Sequence, residues 1–449
     1  MGRWKRTGWR VTVALAAAFL MSLRVTAAAE APKAPEPTVT TLEHFEPSAL
    51  FLKAQEGLKG DFTIAREAPA IDFAIFPGQW ETKDLWSSWG DALYASDGKF
   101  YGTIGDHAMW GTTYVYELDP NTKTLRLVID VDKVLGLTPQ DYAAGKIHAP
   151  IIDRGDGWLY FVNYPGTAPG PDGSYKGDWF FRYKMASGKV EHLGVLVANC
   201  GVAALKYHAP SDTLYGLGEG FGLKVAPLNK FFAYDLEKRE LVYYGGPEPG
   251  MTRALMVAAD GRAYYGGKDK MLQRYDPEAK TVTPINQQIP GDGSLRAVSR
   301  PAADGVIYAF SADGVVFAFD PKTETITWSA RAFTESSHYI TTCRLDLTER
   351  YLYYVPDADG TAWQCGAPVI QFDLKTRKPK VLASLNEFFV KEKGCNLGGT
   401  YGIALNPDGT QLFVCWNTSP VGDTQHWQGF GQCSAMIVHI PQSERSAAP

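Results

Sequence analysis

The chain has 449 residues, with 45% hydrophobic and 21% charged side chains and a net charge of −5. This balance excludes a disordered chain, and the acidic sign disfavours wholesale binding to nucleic acid or an anionic membrane. Plentiful glycine (45) and aromatic residues (13%), with few methionines (8), favour many short strands and tight turns over long helices.

Residues 1–29 read as a secretory signal. Arg3, Lys5, Arg6 and Arg10 form a basic start, Val11 to Leu20 is an apolar stretch too short to span a bilayer, and Ala27-Ala28-Ala29 offers a cleavage site. A secreted or periplasmic protein is therefore expected. Loss of 1–29, which holds five cations and no acids, moves the net charge to −10. Residues 30–38 read as a flexible Pro/Ala linker and 39–449 as one domain. No later apolar run is long enough to cross a membrane, so no membrane partner is expected after signal removal. Export makes the six cysteines disulfide candidates, with Cys415–Cys433 the first expectation and Cys365–Cys395 the second.

From residue 99 onward one unit recurs: a turn, an aromatic strand, a loop, a second aromatic strand and a polar hairpin. The first strands read KFYGTIG (99–105), WLYFVNY (158–164), TLYGLGE (213–219), AYYGGK (263–268), VIYAFSA (306–312), YLYYVPD (351–357) and QLFVCWN (411–417). Most follow a turn pair such as Asp-Gly at 97–98, 156–157, 260–261, 304–305 and 408–409. Their partners include TYVYELDP (113–120), VVFAFDP (315–321) and AMIVHIP (435–441), and a fourth strand usually follows. Seven such sheets predict an all-β, seven-bladed β-propeller with four-stranded blades. The last unit stops at its third strand, and the unassigned strand IDFAIFP (71–77) is expected to complete it and close the ring.

Chain direction in a propeller places the start of each innermost strand, and each loop between second and third strands, around one mouth of the channel. Those positions hold Lys146 and His148, Arg253, Arg296, His338 and Tyr339, Tyr401, His107, and Asn163 with Tyr164. Trp110 and Trp416, read as loop residues, are candidate platforms for sugar rings. Arg and Lys concentrated against the global sign point to an anionic ligand, because the guanidinium fork binds carboxylate or sulfate in a bidentate way. The expected partner is an acidic polysaccharide or oligosaccharide, and a monomer is expected to suffice.

One reaction uses such a set: β-elimination at a uronate. Cations neutralise the carboxylate, a neutral His or Tyr takes the α proton, and an acid protonates the leaving oxygen. His148, Tyr339, Tyr164, Arg253 and Arg296 are the candidate catalytic residues, with Lys146, His107, His338, Tyr401, Trp110, Trp416 and Asn163 as substrate contacts. No cofactor or metal is required, although a structural divalent cation such as calcium fits the scheme.

The segment GKIH (145–148), opening an inner strand before an Asp-Gly turn and an LYF strand, resembles exported bacterial propellers. These include propeller-type polysaccharide lyases of the ulvan lyase and oligogalacturonate lyase kinds. The stretch YITTCRLDLTERYLYYVPDADG (339–360) is similar to planctomycete-type exported propellers of unassigned function. The first resemblance implies a lyase with His, Tyr and Arg at the channel mouth, and His148 carries over to it. Asn163-Tyr164 stands where a second histidine is expected. A non-catalytic glycan- or protein-binding propeller and a metal-dependent lactonase-type hydrolase are the competing readings.

Overall fold

Seven antiparallel sheets follow one another along the chain, one per sequence repeat. The structure is a computed structural model that describes residues 38–79, 85–107, 111–138, 141–166, 175–220, 229–250, 253–426 and 429–446. The expected signal segment, all but the last residue of the expected linker, and Trp110 lie outside them.

Blade 2 shows how sequence sets each sheet. Trp158–Val162 pairs with Trp179–Lys184, which pairs with Lys189–Val195, and the short strand Ile152–Asp153 lies innermost. The Asp-Gly turn before Trp158 works because Gly157 adopts φ 82°, a left-handed conformation that costs glycine nothing. Both faces of the central strands are apolar, so each sheet must be covered on two sides. Seven buried clusters do this, and each joins two neighbouring blades. Tyr101 and Val115 of blade 1 pack on Leu159 and Phe161 of blade 2. Ile104 and Tyr116 of blade 1 meet Phe413 and Ile437 of blade 7, so the ring closes on itself.

The closing strand is the one expected from sequence. Ala70–Ile75 pairs antiparallel with Gln432–His439 at the outer side of the last blade, with Phe73 opposite Met436. The N-terminal segment does more. Glu43–Phe45 extends that blade, Val39–Thr41 adds to Thr124–Asp130 of blade 1, and Thr63–Ile64 runs parallel to Lys378–Ser384 of blade 6. Three outer edges that would otherwise offer unpaired backbone are thereby covered.

Three expectations are corrected. All six cysteines are buried free thiols. Cys415 and Cys433 lie on directly paired strands, where Cys415 faces Ala435 and Cys433 faces Asn417, so they do not staple a loop. Trp416 is not a loop platform, because its strand continues from Gln411 to Pro420 and carries the indole into the core between blades 6 and 7, fully buried with its N–H on Met436 Sδ. Asn163 is also fully buried, and its side-chain oxygen accepts from the Trp179 backbone N–H at 2.8 Å. From there it shapes the loop. No helix among the described residues is long and apolar enough to cross a membrane.

Candidate functional site

The GKIH segment enters blade 2 against the loop that follows its second strand. Lys146 and Tyr164 exchange both backbone hydrogen bonds, at 3.0 and 2.7 Å. Gly145 is required there, since a Cβ on it would overlap the Asp106 carbonyl of blade 1. This close approach stacks the His148 and Tyr164 rings at 3.8 Å with 20° between planes. His148 Nε2 accepts an N–H from Arg253 Nη1 at 2.8 Å. Burial, then the cations Arg253 and Lys146, hold the His148 pKa well below its usual value, so the imidazole is neutral. The Tyr164 hydroxyl donates to the Glu219 carboxylate, and burial together with that carboxylate pushes its pKa up.

Trp89 organises the mouth, and the sequence reading did not single it out. Lys146 Nζ sits 4.5 Å and Arg253 Cζ 5.9 Å from its ring centroid. The Tyr401 ring lies 4.5 Å away, and His107 and His148 lie at 5.5 and 5.9 Å. Its indole N–H donates to Ser87 Oγ, which also meets His107 Nε2 at 2.8 Å. Burial, with Lys146 and Arg253 nearby, lowers the His107 pKa to about 2. The signal available in sequence was position: SSWGD (87–91) precedes the first Asp-Gly turn as GKIHAP precedes the second.

Arg296 is the most informative side chain. It enters at the start of blade 5, only 3% exposed, with its backbone N–H bonded to the Phe310 carbonyl at 2.8 Å. Its guanidinium lies 4.7 Å from the Tyr339 ring centroid, and Nε and Nη2 are buried without a hydrogen-bond partner among the described residues. Burial and the Arg253 charge lower its pKa to about 10, which still leaves it cationic at neutral pH. Trp89, His148, Arg253, Arg296 and Tyr401 enclose a cavity of about 50 Å³. Asp91 also lines this cavity, and its charge is matched, for it meets Arg344 at 2.7 Å and accepts from Thr342 at 2.8 Å.

The mouth is not uniformly basic, as the sequence suggested. A second cavity of about 520 Å³ shares Trp89 and Tyr401 with the first, and Asp292, Asp313, Asp357 and Asp359 line it with Tyr339. His338 belongs to this acidic half, with Nδ1 2.9 Å from Asp357 and Nε2 2.6 Å from Thr334 Oγ1. The structure thus gathers Lys146, His148, Tyr164, Arg253, Arg296, Tyr401 and His107 around Trp89 and Tyr339. It sets His338 apart and removes Trp416 and Asn163 to the interior.

Burial and the neighbouring Arg253 lower the Lys146 pKa to about 7, with Glu219 opposing. A proton bound there adds a cation to the mouth, so affinity for an anion should fall several-fold as pH rises from 6 to 8.5. Calorimetric titration at both pH values checks this, and Lys146→Met should flatten the profile. In the ligand-free protein the sign is opposite: the unfolded chain keeps this proton up to about pH 10.4, so stability rises with pH above 7.

No family model and no curated protein matches the chain. Among solved structures it is similar to that titled "Structure of U3-55K", with TM-score 0.52 at 10% identity over 82% of this chain and 98% of that one. It is also similar to one titled "Crystal Structure of Mitotic Checkpoint Complex", with TM-score 0.50 at 11% identity over 88% and 97%. These neighbours are WD40-type propellers, and at such identities the likeness is one of fold alone.

Proposed function

We propose that this propeller binds an acidic polysaccharide or oligosaccharide at the channel mouth, outside the cytoplasm, with the carboxylate or sulfate group entering the Arg296 cavity. The observation that carries this reading is the buried Arg296 guanidinium, two of whose nitrogens lack an acceptor among the described residues, with the Arg253 charge beside it. A buried cation with no carboxylate paired to it among the described residues costs stability, and an anionic ligand would supply the acceptor. Trp89, Tyr339 and Tyr401 offer ring faces next to it for a sugar. Electrophoresis through gels containing pectate or ulvan should retard the protein, whereas a neutral glycan should not. Arg253→Ala combined with Arg296→Ala should abolish the retardation, and unchanged retardation would remove the mouth from the account.

A second reading, β-elimination at a uronate, is favoured by Lys146, whose pKa near 7 suits a general base beside the carboxylate-neutralising Arg253. His148 and Tyr164 are poorer bases than the sequence suggested. The first already accepts a hydrogen bond from Arg253 on Nε2, and the second already donates to Glu219. In the reaction Lys146 would take the proton α to the carboxylate, the glycosidic C–O bond would break as a carbon–carbon double bond formed, and the leaving oxygen would take a proton from water at the open mouth. That product absorbs in the ultraviolet. A rise in absorbance on pectate, ulvan, alginate or glycosaminoglycans, lost in Lys146→Met, is the expected result. No rise on any of them leaves binding alone.

A further inference from the structure

We propose that the acidic half of the mouth is a divalent-metal site, with His338 Nδ1, the Asp357 carboxylate and Cys365 Sγ as ligands to a zinc-class ion. The three come from one blade. His338 precedes its inner strand, while Asp357 and Cys365 lie in the loop after Tyr351–Tyr354, Cys365 closing the short 3-10 turn Ala362–Cys365. Their ligand atoms all lie within 4.8 Å of one another. Asp357 is the hub, 2.9 Å from His338 Nδ1 and 3.1 Å from Cys365 Sγ. A tetrahedral ion with bonds of about 2.0–2.3 Å separates its ligands by about 3.3–3.6 Å, so each contact need open by only a few tenths of an ångström.

The surroundings fit a metal centre. Thr334 Oγ1 holds the other imidazole nitrogen at 2.6 Å, the outer contact that orients a ligating histidine, and its hydroxyl can accept once that nitrogen carries the proton. Asp357 faces the 520 Å³ cavity, which gives the ion an entry path and leaves its fourth position to water or a ligand oxygen. On binding, Cys365 releases its thiol proton to solvent and the histidine proton moves from Nδ1 to Nε2. Thiolate, imidazole and carboxylate together suit zinc or cobalt, whereas calcium takes six to eight oxygen ligands. A second cluster, His44, Asp72 and His439, has similar spacing but differs in one decisive respect. Lys123 Nζ lies 2.8 Å from Asp72 and 3.2 Å from His44 Nδ1, so a cation already occupies the centre. It serves as the internal control.

The test requires no glycan and is independent of the anion-binding reading. Full-length protein, stripped with chelator and kept reduced, is titrated with cobalt(II). The expected result is one ion per chain with a thiolate-to-cobalt charge-transfer band in the near ultraviolet, displaced by zinc. Cys365→Ser should remove the band, His338→Ala and Asp357→Asn should weaken binding more than about tenfold, and His439→Ala should leave it unchanged. X-ray absorption of the zinc-loaded wild type should show one sulfur in the first shell, a readout that does not depend on how the variants fold. No thiolate band in the wild type, a band that survives Cys365→Ser, or a shell without sulfur overturns the proposal.

Discussion

Arg296→Met is expected to stabilise the ligand-free protein while destroying its affinity for acidic glycans. The residue is buried, remains charged, and has two guanidinium nitrogens without acceptors among the described residues. Methionine fills similar space without a charge to desolvate, and such replacements are neutral or stabilising, here by about 1 kcal/mol. Binding should fall roughly 10- to 100-fold, the loss expected when a charged donor to the ligand disappears. Urea denaturation and calorimetric titration on the same preparations check both halves. A structural arginine gives the reverse pattern, a less stable variant with binding intact. Opposed signs are the result expected of a charge matched by the proposed ligand.

Asp72→Asn is expected to cost about 3–5 kcal/mol of stability, because three partners lose one buried carboxylate at once. Asp72 lies on the closing strand, wholly buried. It contacts His44 Nδ1 at 2.6 Å and His439 Nε2 at 2.7 Å, both from its own blade, and Lys123 Nζ at 2.8 Å from the hairpin of blade 1. One side chain thus ties the closing strand across the seam of the ring. Burial pulls its pKa up, but hydrogen bonds from His439, Lys123 and His44 outweigh that and hold it well below the usual carboxylate range. A depressed pKa stabilises the fold above the unfolded value of about 3.9, and the contribution is lost as pH falls below it. Urea midpoints at pH 7 and pH 2.5 should show that loss in the wild type and a flatter response in Asp72→Asn. A variant within about 1 kcal/mol of wild type at pH 7 would mean that the seam is held by packing alone.

The ring was legible because its signal is local and repeated. Each blade carries two aromatic strands after a turn pair, and the same chain direction that builds the sheets sorts loops between the two faces. Lys146, His148, Arg253, Arg296 and Tyr401 were found in that way. Trp89 was not, since its flanking strands, Trp86–Ser87 and Leu93–Tyr94, are two residues each and too short to show alternation. The acidic half was hidden by chemistry shared with turns: Asp292, Asp313, Asp357 and Asp359 read as turn formers before they read as a wall. Trp416 was misplaced because a strand's end is set by pairing with its neighbours, here as far as Pro420, and not by composition. The disulfide expectation came from compartment, and the thiols proved to be buried and unpaired, with Cys415 and Cys433 on neighbouring strands of one sheet.

The most direct measurement is a calorimetric comparison of oligogalacturonate with the same oligomer after reduction of its carboxyl groups to alcohols. Size, ring stacking and hydroxyl pattern are then held nearly constant while the charge is removed. Saturable binding of the first at one site per chain, and none of the second, is the expected result. Equal binding of both, or heat from neither oligouronate nor a sulfated analogue, would contradict an anion site at the channel mouth.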